Sequence, residues 1–223
     1  MNEFVNKYIV RSSASFKRGF SDPASFMKWY SENSRCAVAM VGRSNVGKSS
    51  LINTMFGNKT ARVSKTPGRT SEINVFEFDL KLAEDRTESF FLYDLPGYGF
   101  AKVSKAMLKN WDQLMGAFFS VIDRRTLILN LQDARHPNQK SDQQLYQFIK
   151  EHDLETFMVL NKVDKLKKQK ERSELKKKVK EIAHEYKKYQ QFYQVSAETK
   201  LGVPELEYGL ASYLIKVYEA LQS

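Results

Sequence analysis

The stretch Gly42-Arg43-Ser44-Asn45-Val46-Gly47-Lys48-Ser49 sets two glycines, a lysine and a hydroxyl at a spacing that suits a phosphate. Glycines let the main chain curl round an anion with no Cβ in the way, and successive N–H groups at a helix start supply positive potential. Lys48 would reach the β- and γ-phosphates of a nucleotide, and the Ser49 hydroxyl would be a magnesium ligand. An apolar run, Ala37 to Val41, leads into the loop and a helical pattern begins at Lys48, the strand-turn-helix context that a Walker A loop requires. A turn that merely tolerates glycine would not account for all the fixed positions in that context.

The Walker A loop does not choose between adenine and guanine. Asn161-Lys162-Val163-Asp164 does, because it follows the apolar run Phe157 to Leu160 and so falls where a strand-end loop can meet a base. The Asp164 carboxylate can accept from guanine N1–H and the guanine amino group, whereas adenine offers neither donor. Asn161 would brace neighbouring loops and Lys162 would lie along the ring. Asp94-Leu95-Pro96-Gly97 follows the run Phe90 to Tyr93; Asp94 would hold magnesium through water, and the Gly97 N–H would sense a γ-phosphate. Val195-Ser196-Ala197 would close over the base, with the Ala197 N–H on guanine O6. In the loop Lys65-Thr66-Pro67-Gly68-Arg69-Thr70, Thr70 is the choice to complete magnesium coordination and Thr66 its competitor.

Two further residues bear on rate. Tyr98 stands directly after Gly97, where a glutamine could orient an attacking water, and a phenol cannot reproduce an amide's paired donor and acceptor. Slow unassisted hydrolysis is therefore expected. Asn45 could help seat a potassium ion beside the phosphates, or simply hydrogen-bond within its own loop. His136 reads as a loop residue rather than a general base.

These loops need elements to hold them. Short apolar runs at Ala37 to Val41, Ile73 to Leu80, Phe90 to Tyr93, Leu127 to Leu131, Phe157 to Leu160 and Phe192 to Val195 alternate with helical patterns. The helices fall near Lys48 to Phe56, Lys105 to Phe119, Asn138 to Glu151, Lys170 to Lys188 and Pro204 to Leu221. Alternation of this kind predicts an α/β fold, a mostly parallel sheet flanked by helices on both faces. The 223 residues suit one domain, 36–223, with residues 1–35 as an N-terminal extension that supplies an extra strand, Lys7 to Arg11, and a short helix after Asp22-Pro23.

With 28 aromatics and 42% apolar residues the chain can build a core, yet no apolar run is long enough to span a bilayer. No secretory signal is read at the start, so a cytoplasmic location without membrane insertion is expected. A lone cysteine, Cys36, and three scattered histidines argue against a disulfide or a zinc site. Lys165 to Lys188 holds 11 Lys or Arg against 4 Glu, a surplus of +7 within a chain total of +10. That segment is either a solvated helix face or a surface for a polyanion such as RNA.

Taken in order, GRSNVGKS, KTPGRT, DLPGYG, NKVD and SA, with Asp133-Ala134-Arg135-His136-Pro137, resemble the EngB family, also called YihA or YsxC, over nearly the whole chain. The resemblance implies a Ras-like P-loop NTPase fold, binding of GTP or GDP with Mg2+, and a role in assembling the large ribosomal subunit. It further implies large-subunit precursors, meaning ribosomal RNA and ribosomal proteins, as partners of a monomer, with depletion disturbing cell division and septation. By the same resemblance the nucleotide site is lined by Gly42 to Ser49, by Gly68, Arg69, Thr70, Ser71 and Glu72, by Asp94 to Gly97, by Asn161 to Asp164 and by Val195 to Ala197. Ser49 and Thr70 would be the magnesium ligands, and Lys48, Thr70 and Gly97 the residues acting on the γ-phosphate. A GTP-binding cell-division scaffold with little hydrolysis is the alternative; a small-molecule kinase fits poorly, because the guanine-reading loop argues against it and no second substrate pocket or lid is evident.

Overall fold

Strand β2 (Ala37–Gly42) is buried along its full length. A strand apolar on both sides belongs in the middle of a sheet covered on both faces, and β2 pairs in parallel with β4 (Thr87–Asp94) and with β5 (Thr126–Asp133). Beyond β5 the parallel pairing continues through β6 (Thr156–Asn161) and β7 (Tyr189–Gln194). On the other side β4 pairs antiparallel with β3 (Ile73–Lys81), and β3 with β1 (Ser15–Phe20), giving the order β1-β3-β4-β2-β5-β6-β7. The computed structural model describes residues 8–57, 60–61, 72–99, 105–152, 154–186 and 189–223.

Alternating side chains of β2 feed two cores. Val38 and Met40 pack with Leu51 and Met55 of α2 (Lys48–Phe56) and with Leu206 and Leu210 of α6 (Val203–Gln222). Ala37, Ala39 and Val41 face the opposite way. They meet Phe26 of α1 (Pro23–Asn33), Phe118 of α3 (Lys105–Val121) and Leu145 of α4 (Lys140–Lys150). A third cluster seats α5 (Gln169–Glu185) through Leu175 and Ile182 against Met158 and Leu160 of β6. Because chain order reverses about β2, the crevice at its carboxyl end is the topological switch point where ligands of open α/β sheets bind.

The expected Ras-like α/β arrangement is therefore present, with differences in detail. Among the described residues the N-terminal strand is Ser15–Phe20; of the expected strand Lys7 to Arg11, Lys7 lies outside the described residues and Ile9 contributes an isolated bridge to Leu80. The reason is that β1 is exposed over most of its length and is held by backbone pairing to β3, which leaves no apolar alternation to read. Helix α4 opens at Lys140 rather than Asn138, since Asn138 has φ +57 and Gln139 is the cap. Helix α5 stops at Glu185, after which Tyr186 leaves helical geometry while remaining buried. Strand β7 begins at Tyr189 instead of Phe192. The short helix after Asp22-Pro23 forms as read, with Asp22 accepting from the Ser25 N–H at 2.7 Å.

The N-terminal segment is fastened to the far face by Arg11, which donates to the Thr54 carbonyl of α2 at 3.0 Å and sits 3.3 Å from Glu207 of α6. Burial pushes the Glu207 carboxyl up to about 7, with the half-exposed guanidinium of Arg11 opposing it. A folded-state pKa above the unfolded value near 4.5 contributes stability that is complete at low pH and lost as pH rises through 7. Glu207→Gln is therefore expected to remove a pH-dependent part of the melting temperature. Thermal melts of both proteins at pH 5 and pH 8 check this: the unsubstituted protein should lose ground to the variant at pH 8, and parallel behaviour would contradict it.

Candidate functional site

The phosphate loop is shaped by two left-handed residues, Asn45 at φ +64 and Gly47 at φ +98. At Gly47 any Cβ would also run into the Asn161 side-chain amide, so glycine is required twice over. Helix α2 starts one residue later and points its N-terminus into the loop. Gly97 lies so close that a Cβ there would sit 3.2 Å from the Ser44 nitrogen and 3.3 Å from Lys48 Nζ. The Asp94 to Gly97 turn therefore rests directly on the phosphate loop.

Lys48 and Asp94 form the electrostatic centre. Burial lowers the lysine, with Asp94 opposing, and burial raises the Asp94 carboxyl to about 6, with Lys48 opposing. Lys48 Nζ lies 3.4 Å from the Gly42 carbonyl. Among the described residues the buried Asp94 Oδ1 has no hydrogen-bond partner, which is costly unless a ligand or ordered water completes it. Ser49, half-buried on the first turn of α2, supplies a hydroxyl on the same turn as Lys48. One hydroxyl with one carboxylate poised for water suits Mg2+, which keeps several waters and takes the rest of its shell from phosphate. Among the described residues no group of three His, Cys, Asp or Glu could hold a metal unaided.

The base-side loops are tied to the phosphate side by Asn161. Its Nδ2 donates to the Val46 carbonyl at 2.9 Å, and its Oδ1 accepts from the Ala197 N–H at 3.1 Å. The Ala197 N–H, expected on guanine O6, is thus the donor to this brace in the structure. Asp164 accepts from Ser196 Oγ at 2.7 Å and lies 3.0 Å from Lys165 Nζ. Burial works to raise the Asp164 carboxyl, but the Ser196 and Lys165 contacts outweigh it and hold the group below its usual range. Lys162, at φ +67, donates to the Asn45 carbonyl and sits 3.1 Å from Asp133 Oδ2. Val163 N–H reaches the Val195 carbonyl at 3.2 Å, so the loops after β6 and β7 are joined by main chain as well.

Arg43 turns away from the nucleotide side, its Nε 3.0 Å from Asp142 Oδ1 and its Nη2 donating to the His136 carbonyl at 2.8 Å. Asp142 also accepts from the Tyr98 hydroxyl at 2.8 Å. Neither Asp142 nor the role of Asp133 beside Lys162 was evident from the sequence; the Gln139 to Asp142 spacing signals only a helix cap. Thr66, Gly68, Arg69, Thr70 and Ser71 lie outside the described residues. Glu72 is brought to Gly19 at the β1–β3 edge, with β4 between it and β2.

A glycine-bent phosphate loop at the switch point of this sheet, with the loops after β6 and β7 tied to it, is the architecture of a P-loop GTPase. Residues 37–162 match the family described as 50S ribosome-binding GTPase. A probable GTP-binding protein EngB of Kosmotoga olearia is 39% identical over 179 residues, covering 79% of this chain and 88% of that protein. Its counterpart from Prosthecochloris aestuarii is 39% identical over 191 residues, covering 82% and 95%. The chain belongs to the EngB family of GTP-binding proteins. Among solved structures, an Era variant of Aquifex aeolicus bound to GDP and aluminium fluoride superposes with a TM-score of 0.65 at 27% identity, over 80% of this chain and 56% of that one. The crystal structure of a probable EngB protein gives 0.57 at 23% identity over 81% and 98%, and shares the fold.

The expected reading of guanine by Asp164 has a direct consequence. A site built to hydrogen-bond a ligand's donors rejects an analogue that lacks them by roughly 10⁴ to 10⁵, and adenine lacks both guanine donors that Asp164 would accept from, so GTP is expected to outbind ATP by that order. Asp164→Asn is expected to weaken GTP and improve xanthosine triphosphate, whose C2 oxygen can accept from the new amide. Calorimetric titration with the three nucleotides is the check, and equal ATP and GTP affinity in the unsubstituted protein would defeat it.

Proposed function

We propose that this protein hydrolyses GTP slowly and acts in the cytoplasm, as a monomer, in assembly of the large ribosomal subunit, with normal cell division and septation dependent on that assembly. The observation that carries the partner is α5, whose Lys170, Arg172, Lys176, Lys177 and Lys180 line its outer side while Leu175 and Ile182 anchor it to the sheet. Leu166, between the guanine loop and this helix, accepts from Arg172 Nε at 3.1 Å, which keeps the basic face next to the nucleotide side. The 50S wording of the matched family agrees with a ribosomal target. Era, a structural relative, has been solved with MgGDPNP and a segment of 16S ribosomal RNA.

In this reading the N–H groups of Ser44 to Lys48 and the Lys48 ammonium hold the β- and γ-phosphates, and Asp164 with Asn161 fixes the base. Ser49 and Thr70 would hold Mg2+, with Asp94 acting through water, and the ion would supply charge neutralisation on the phosphates. The Gly97 N–H meets the γ-phosphate and transmits its presence to the segment that follows. The slow rate finds support at Tyr98, whose ring is buried against Trp111 and whose hydroxyl is engaged by Asp142. No side-chain amide stands directly after Gly97 to align the attacking water, and transition-state stabilisation by a partner's charged group can be worth about 10³ to 10⁵ in rate. Asn45, on the phosphate loop, is the group proposed to seat K+.

Two outcomes are expected. Replacing Lys176, Lys177, Lys178 and Lys180 with Ala should weaken co-sedimentation with large-subunit precursors and flatten its salt dependence, which runs at about −0.7 to −0.9 in log affinity per log salt for each phosphate contact, while GTP affinity stays intact. Unchanged sedimentation would mean that α5 is only a solvated face, and recruitment to the division septum without ribosomal association would favour the scaffold. Separately, basal hydrolysis is expected to be slow and faster in KCl than in NaCl. Equal turnover in the two salts would remove the role given to Asn45.

A further inference from the structure

One buried carboxylate outside the nucleotide loops touches two of them. Asp142 is the third residue of α4, and its side chain is fully enclosed. Its Oδ2 accepts from the Gln139 N–H at 2.8 Å, which is all that a helix cap requires. Its Oδ1 accepts from Arg43 Nε at 3.0 Å and from the Tyr98 hydroxyl at 2.8 Å. Arg43 is the second residue of the phosphate loop, and Tyr98 follows Gly97. Capping explains one oxygen of Asp142 and leaves the other, with its two distant donors, unexplained.

The main chain joins the same two segments. Arg43 and Tyr98 form an isolated parallel bridge, and the Ser44 N–H donates to the Tyr98 carbonyl at 3.0 Å. Trp111 of α3 donates to the Pro96 carbonyl at 3.2 Å from the other side, so the turn is held at Pro96 and at Tyr98 with Gly97 between them. The Arg43 guanidinium is itself mostly covered and reaches on to the His136 carbonyl. A charge pair in such surroundings is costly to break from one side, because the remaining partner is left buried and uncompensated.

We propose that Asp142 is a positioning residue for GTP hydrolysis: by holding Arg43 and Tyr98 on one oxygen it locks the phosphate loop and the Asp94 to Gly97 turn into a single rigid unit, so that the Gly97 N–H is aimed at the terminal phosphate. This rests on the GTPase reading above. Asp142 acts through Tyr98 and Arg43 and touches no nucleotide itself. Burial raises its carboxyl, while Arg43, the Tyr98 hydroxyl and the Gln139 N–H oppose that rise and favour the charged form that can accept from all three. Misplacement of a reacting group by about 1 Å can cost on the order of 10²-fold in rate, so a linkage remote from the phosphates can still govern turnover.

The experiment compares the full-length protein with Asp142→Asn, Tyr98→Phe and the double variant. Single-turnover GTP hydrolysis at saturating nucleotide is measured alongside affinities for GDP and for a non-hydrolysable GTP analogue. Expected are a roughly tenfold loss of rate, the size that a lost hydrogen bond to a charged group can account for, and a reduced preference for the GTP analogue over GDP. GDP affinity should stay within about twofold, and the double variant should be little worse than the poorer single one, since both changes break one linkage. Should Asp142→Asn not fold, Tyr98→Phe, which keeps the ring and its packing, is judged by the same criteria. An unchanged rate and an unchanged GTP-analogue preference overturn the proposal. So does a parallel loss of GDP and analogue affinity with a lowered melting temperature, which would make Asp142 a stability residue only; both of these results leave the GTPase reading standing. Failure of the unsubstituted protein to bind or hydrolyse GTP overturns that reading, and this inference with it.

Discussion

The Asn161 side chain is the interaction on which the arrangement of loops depends. It is 1% exposed, it leaves the end of β6, and it spends donor and acceptor on different partners, the Val46 carbonyl and the Ala197 N–H. One amide thus satisfies the buried Val46 carbonyl and the partly buried Ala197 N–H. Because the three loops follow parallel strands that end on the same edge, a single short side chain can reach all of them. Gly47 has to be glycine partly because this amide occupies the space a side chain would need.

Around that brace the charges are sorted by their surroundings. Lys48 and Asp94 face each other in a buried setting where each is shifted toward neutrality by burial and back toward charge by the other. Asp133 and Asp164 lie on the more open base side. Asp133, with Arg135 and Lys162 donating to it, is held well below the usual carboxylate range in spite of burial. The phosphate side is thus left electrostatically unsatisfied, and the base side is already paired and rigid. Such a division suits a site whose base contacts are constant while its phosphate contacts change with each turnover.

Rigidity is not confined to the loops. The N-terminal segment joins the sheet through β1 and reaches α2 and α6 through Arg11, so residues that precede the phosphate loop by about thirty positions help to hold the helix behind it. Helix α3 contributes Trp111 to the Asp94 to Gly97 turn, and α4 contributes Asp142. Both helices pack on the face of the sheet formed by Ala37, Ala39 and Val41. Core packing and loop geometry are therefore set by the same small residues of β2.

The placing of the loops was legible in the chain alone, because each motif is contiguous: Gly42 to Ser49, Asp94 to Gly97 and Asn161 to Asp164 each follow directly on an apolar run, and the structure sets them at the ends of β2, β4 and β6. The central strands were legible for a related reason, since a strand buried on both faces must be apolar at nearly every position, as Ala37 to Val41 is. Strand β1 was not, because an exposed edge strand is defined by its partner rather than by its own side chains. The use of the Ala197 N–H by Asn161, and the meeting of Arg43 with Asp142 across 99 positions and of Tyr98 with Asp142 across 44, likewise leave no local pattern. Such contacts are decided only when the sheet brings the ends of distant strands together, for a hydrogen bond between remote residues is specified by where the packed elements place them and not by spacing along the chain.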